Sequence, residues 1–274
     1  MSATTTGPAQ IVASGPGIPF SRLVKVEWRK MTDTRAGRTL VIVTAGILTF
    51  AIAIMLLIAA LDDNFNATAV DFAGVLQFIS LLIVPVFAIM ITTSEWNQRT
   101  HLTTFTLEPQ RSRVLTAKLV AVLLFGVATM AFAVALGAVG NAATSLFGFD
   151  PVWNFGVDDL VWSLILQLVL LLSAFGLGLA LLNTAAAVAV FYVAAIMLRF
   201  IVYPILFGFV DGFLNVAPYI DAFFGIVVAQ EGTNLDSDTV SGVARFAPAV
   251  VSVLIWVGVP TVIGWLRATR SEVK

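Results

Sequence analysis

The densest set of reactive side chains lies in one stretch, residues 94–118, reading SEWNQRTHLTTFTLEPQRSRVLTAK. Glu95, Arg99, His101, Glu108, Arg111, Arg113 and Lys118 mix acid and base, and Trp96, Leu102, Phe105 and Leu107 are interleaved with them. Such a mixture suits charge-paired docking onto a protein, because aromatic and aliphatic anchors carry interface energy while charges fix register. A plainer reading is that the basic residues only hold a loop at a lipid surface. Bond-making chemistry has little support. No GxxxxGK[ST], HExxH, GxSxG or glycine-rich dinucleotide turn occurs. The absence of cysteine excludes thiolate and disulfide chemistry, and a single histidine excludes His-cluster metal sites. No catalytic, cofactor-binding or metal residue is therefore expected on this chain.

The elements that position this stretch are apolar. Of 274 residues, 59% are hydrophobic and 11% charged, against roughly 45–50% and about 25% in soluble domains. The composition is that of an all-α polytopic membrane protein. Six runs approach the roughly 20 apolar residues needed to cross a bilayer core: about 39–61, 74–93, 114–140, 160–182, 185–207 and 243–266. Pro85 and Pro260 predict kinks in the second and sixth, with freed carbonyls met by neighbouring helices. Asn183-Thr184 leaves room only for a tight hairpin.

Residues 1–19 are small, uncharged and rich in Gly and Pro, and read as a disordered cytoplasmic tail. Residues 20–38 are amphipathic. On a helix, Phe20, Leu23, Val24, Trp28 and Met31 share one arc, and Arg22, Lys25 and Arg29 the other. This predicts an interfacial helix. Glu27 falls in the middle of the apolar arc, where it needs a protein partner or must snorkel to the surface. Gly37 loosens the backbone before the first span.

Basic residues set the topology. With the N-terminus cytoplasmic, 13 of the 15 Lys and Arg fall inside: six in 1–38, four in 94–118 and three in the tail 267–274. Both termini are then cytoplasmic by the positive-inside rule. The opposite face collects Asp62, Asp63, Asp71, Asp150, Asp158, Asp159, Asp211, Asp221, Glu231, Asp236 and Asp238. The 208–242 segment is apolar in its first half but broken by Gly212 and Pro218, and predicts two short re-entrant helices in the outer leaflet.

Charged residues inside spans are functional candidates. Arg199 is the clear one, with Asp211 or Asp221 in reach, as a structural pair or an outer gate. Gln77, Gln167, Asn141 and Asn183 predict interhelical hydrogen bonds. Ala174, Gly176, Gly178 and Ala180 form a small-residue patch suited to close packing. No chain of charges runs along the spans, so an ion-coupled mechanism lacks its usual residues.

The pattern resembles the membrane subunit of an ABC-type exporter of the type-two permease class. The resemblance rests on the amphipathic segment SRLVKVEWRKMTDTRAGR, the six spans, and the span 2–3 loop with Glu95, Arg99–Thr100, Pro109, Ser112–Arg113 and Lys118. It covers the chain after residue 19. It implies an elbow helix at 20–38 (Arg22, Lys25, Glu27, Trp28, Arg29) and a six-helix transmembrane domain at 39–266. It also implies a coupling helix within 94–118 that meets an ATPase through Glu95, Trp96, Arg99, Thr100, His101, Leu102, Phe105, Glu108, Arg111 and Arg113. Two such permeases, as a homo- or heterodimer in the cell membrane, would form the path. Two separate subunits would carry ATP and magnesium. The apolar, Phe-rich spans suit an amphipathic drug, peptide or lipid, and the direction of export comes from the resemblance alone. The alternative is an ATP-independent secondary transporter or channel; a membrane-embedded enzyme or scaffold stands third.

Overall fold

The computed structural model describes residues 18–98, 110–233, 235, 239–240 and 242–270. Among them the fold is all-helical, and six helices are long and apolar enough to cross a membrane. The protein is thus a multi-pass membrane protein. In chain order the helices are α1 (Phe20–Thr32), α2 (Arg35–Leu61), α3 (Ala69–Asn97), α4 (Arg111–Ala143), α5 (Val157–Leu181), α6 (Thr184–Phe209), α7 (Phe213–Ile220), α8 (Ala222–Glu231) and α9 (Gly242–Thr269).

The helices outrun the apolar cores read from sequence because polar residues at their ends cap them. Thr68 and Asp71 form a capping box at the start of α3, and the Asn183 side chain accepts from the Ala186 amide at the start of α6. Asn183 is therefore a cap and not an interhelical bond. Thr34 likewise caps α2, its hydroxyl accepting from the Gly37 amide. The amphipathic stretch accordingly stops at Thr32, and the first span begins at Arg35. Gly37 is not a loosening residue: it is buried inside α2, and a Cβ there would collide with the Met31 carbonyl. Glycine permits the close return of α2 past the end of α1.

The middle of the bundle is α3 and α5, more than half buried, whereas under a quarter of α2, α6 and α9 is buried. Phe87, Phe125 and Phe175 anchor the main core, with Phe87 and Phe125 ring centroids 4.3 Å apart. Trp28 of α1 meets Phe125 edge-on at 6.0 Å. A smaller core of Leu48, Ile52, Phe72, Leu76 and Ala133 joins α2, α3 and α4 at the far end. The small-residue patch on α5 serves packing within the chain. Gly176 lies against Thr261 of α9, and Gly178 against Thr92 of α3, where a Cβ would strike the Thr92 hydroxyl.

Prolines shape two outer spans. α6 widens into a π-helix over Val193–Val202, just before Pro204, and α9 does so over Leu254–Gly258, just before Pro260. Pro cannot donate an amide hydrogen, so a wider turn absorbs the lost bond: the Val259 amide reaches back five residues to the Leu254 carbonyl. At Pro85 the helix runs on, and the Tyr192 hydroxyl donates to the Leu82 carbonyl at 2.7 Å. A neighbouring helix thereby supplies a donor beside the break. α7 and α8 meet at 106°, so they do not form one straight span.

Candidate functional site

Four charged residues close a ring at the end of the bundle where the segment between α3 and α4 departs. Glu27 and Lys30 come from α1, Glu95 from the last turn of α3, and Lys118 from the second turn of α4. The Lys30 ammonium donates to Glu27 Oε1 and Glu95 Oε1, each at 2.6 Å. The Lys118 ammonium donates to Glu27 Oε2 at 2.9 Å, lies 3.2 Å from Glu95 Oε1, and also donates to the Ile91 carbonyl at 3.0 Å. Charges alternate around the ring and cancel.

Burial makes this arrangement demanding. Glu27 and Lys118 are each 3% exposed and Glu95 7%. A charge removed from water is tolerated only when paired and fully hydrogen-bonded, and here every acid faces two bases. Burial, the largest influence on Lys30, pulls its pKa down. The Glu27 and Glu95 carboxylates outweigh it and hold the ammonium above the usual lysine value of 10.5.

Glu27 thus finds its protein partner in the same chain. The resemblance assigned Glu95 to an ATPase contact; the structure turns its carboxylate inward to Lys30 and Lys118. Lys118 also corrects the reading that Arg199 is the clear charge within the spans, since Lys118 is the more enclosed of the two. Lys30 went unrecognised, although its spacing of three from Glu27 puts both on one helix face.

Other residues tie the same end together. Arg113 donates to the Ile18 carbonyl at 2.8 Å. Arg111 donates to the Ala268 and Thr269 carbonyls of α9 at 3.3 and 3.4 Å. Trp96 is half-buried against the main core. Arg22, Lys25 and Arg29 are exposed on the outer face of α1, and Trp28 is half-buried beneath them. Arg99, Thr100, His101, Leu102, Phe105 and Glu108 lie outside the described residues.

At the opposite end the structure brings Asp221, not Asp211, to Arg199, with 2.8 Å between Nη2 and Oδ1. Asp211 is exposed in the turn before α7. Asp221 also caps α8, accepting from the Phe223 amide at 2.8 Å. The Arg199 guanidinium lies 4.5 Å from the Phe223 ring centroid. Its Nε has no partner, and an adjoining cavity of about 20 Å³ has room for roughly one water.

Polar residues within the spans bridge elements. Gln167 of α5 donates to the Gly126 carbonyl and the Thr129 hydroxyl of α4. Gln77 of α3 donates to the Ser163 carbonyl of α5, and Asn141 to the Val152 carbonyl in the loop before α5. Among the described residues no group of three His, Cys, Asp or Glu could hold a metal ion. No known family model matches the chain, and no curated protein matches it.

Proposed function

We propose that this chain is the permease subunit of an ATP-driven exporter. It works as a dimer in the cell membrane with both termini cytoplasmic, coupled to separate ATP-binding subunits through the 94–118 segment. The observation that carries this reading is the anchoring of that segment. Glu95 near its start and Lys118 at its end are bonded to each other and to α1, and Arg111 reaches α9. A displacement of the segment by a partner is in this reading delivered to four helices at once, the kind of linkage through which ATP binding could bias one arrangement of the helices over another. An ordinary connecting loop has no need of a buried ring of charge.

In this reading α1 is the elbow helix, offering Arg22, Lys25 and Arg29 to lipid headgroups or to the ATPase. α7 and α8 form a re-entrant pair in the outer leaflet, with Arg199 and Asp221 holding the outer gate. The thinly buried faces of α2, α6 and α9 supply lipid contact and the dimer surface. The Phe-rich spans suit an amphipathic substrate.

The test is co-purification from native membranes with ATPase activity read on the eluate. Wild type is compared with a chain carrying Arg99→Glu and Phe105→Ala. An ATPase that accompanies wild type and is lost from the variant supports the coupling segment. If none accompanies either, the exporter reading fails. The buried Arg199–Asp221 pair favours one other reading, an ATP-independent secondary transporter or channel, because charges in spans mark ion paths. Transport by the purified chain without any ATPase would establish it.

A further inference from the structure

A cavity of about 170 Å³ opens between α3, α4 and α5, with Gln230 of α8 at its edge, at the end remote from the charge ring. Small residues make the space: Ala73 and Gly74 on α3 and Ala133 on α4. Its polar lining is unusual among apolar helices. The Gln77 amide donates to the Ser163 carbonyl at 3.0 Å. Of the two ends of the Gln77 amide only the NH2 can donate to a carbonyl, so that bond fixes the amide and leaves Gln77 Oε1 as the group without a donor. That oxygen is buried and unpartnered. An orphaned buried acceptor costs free energy unless something supplies a hydrogen. The Asp159 carboxylate lines the same cavity, held in place by accepting the Gly156 amide at 2.8 Å. No Lys or Arg is among the lining residues. Water needs only about 10–15 Å³, so the space is large for a single bridging molecule.

We propose that this cavity binds an amphipathic amine, its ammonium group donating to Gln77 Oε1 and facing Asp159, its apolar body against Met130 and Val134. An unpaired amide oxygen and a carboxylate, with no cation in the lining, favour a cationic donor over an anion. Binding here needs only this chain and stands apart from the ATPase partnership. Gly74 gives a clean plug, because a Cβ built on it meets nothing within 4 Å and a larger side chain can grow into the cavity.

The experiment uses the full chain in lipid nanodiscs, with empty nanodiscs subtracted, and ligand-observed saturation-transfer NMR titrations. The probes are cyclohexylamine, cyclohexanol and cyclohexanecarboxylate. Saturable binding of the amine is expected, with the alcohol about tenfold weaker for want of the charge-assisted bond and no saturable signal from the carboxylate. Gly74→Leu abolishes amine binding. Asp159→Asn keeps an acceptor for the Gly156 amide, so it lowers amine affinity to that of the alcohol while leaving the alcohol unchanged. That selective loss is readable even if the plugged variant folds poorly. The proposal is overturned if wild type shows no saturable amine signal, if a folded Gly74→Leu binds as wild type does, or if the carboxylate binds as well as the amine.

Discussion

Lys118→Met is the sharpest perturbation of the charge ring. It removes the donor to Glu27 Oε2 and to the Ile91 carbonyl, and one of the two lysines of the ring that face Glu95. Within the ring, two carboxylates at 3% and 7% exposure then share Lys30, one positive charge fewer than before. Breaking a buried pair from one side costs about 3–5 kcal/mol, so the single variant is expected to lose on that order of stability. Glu27→Gln has the opposite imbalance and a similar cost. The double variant Glu27→Gln, Lys118→Met restores neutrality, leaving Glu95 and Lys30 as one pair. It is expected to lose about 1–3 kcal/mol less than the sum of the singles, because coupled groups depart from additivity. Unfolding titrations in mixed micelles of fixed lipid and denaturing detergent measure all four corners of the cycle. Additive losses, within about 0.5 kcal/mol, would refute the claim that these two charges stabilise each other.

Further outcomes follow from the same contacts. With the Lys30 ammonium held above 10.5, its contribution is fully present below that value and lost as pH rises through its folded pKa. Stability of wild type relative to Lys30→Met should therefore stay constant from pH 7 to 9 and converge above 10.5. Gly178→Val pushes a side chain into Thr92 and is expected to cost about 1–3 kcal/mol. Gly46→Ala meets nothing within 4 Å and should be neutral or stabilising by up to about 1 kcal/mol; thermal melts separate the two. Tyr192→Phe removes the donor to the Leu82 carbonyl and should cost about 1 kcal/mol, read by the same melts.

Much of the helical skeleton was legible because apolar runs of membrane length are a strong signal. The ends were less so: Thr34, Thr68 and Asn183 act through capping geometry, which adds turns that hydropathy does not register. The amphipathic arcs of α1 were readable from periodicity, and Glu27 stood out on it as a misplaced charge. Its partner was not readable. Lys118 lies 91 residues away, visible at the end of the charged stretch, but nothing in the sequence says which acid it meets. Arg199 was equally visible, but nothing in sequence decides between Asp211 and Asp221. Asp221 is chosen because the sharp turn at the start of α8 presents its carboxylate inward. The π-helices left only an indirect trace, prolines set deep in the apolar runs of α6 and α9. The tight seat of Gly178 against Thr92 was hidden because packing partners come from the fold.

The separation between Glu27 and Lys118 also orders the chain's own biogenesis. A ribosome adding roughly 5–20 residues per second needs about 5–18 s to travel from one to the other. Throughout that interval Glu27 has Lys30 beside it on the same helix but not Lys118, the second lysine of the ring. The four-charge ring therefore cannot close until residue 118 has been made, after both of the first two spans. Its closure is the step that ties α1 and the end of α3 to α4. A nascent protein arrested between residues 95 and 118 carries both carboxylates with Lys30 but without Lys118, a chemical mark by which an unfinished copy differs from a finished one.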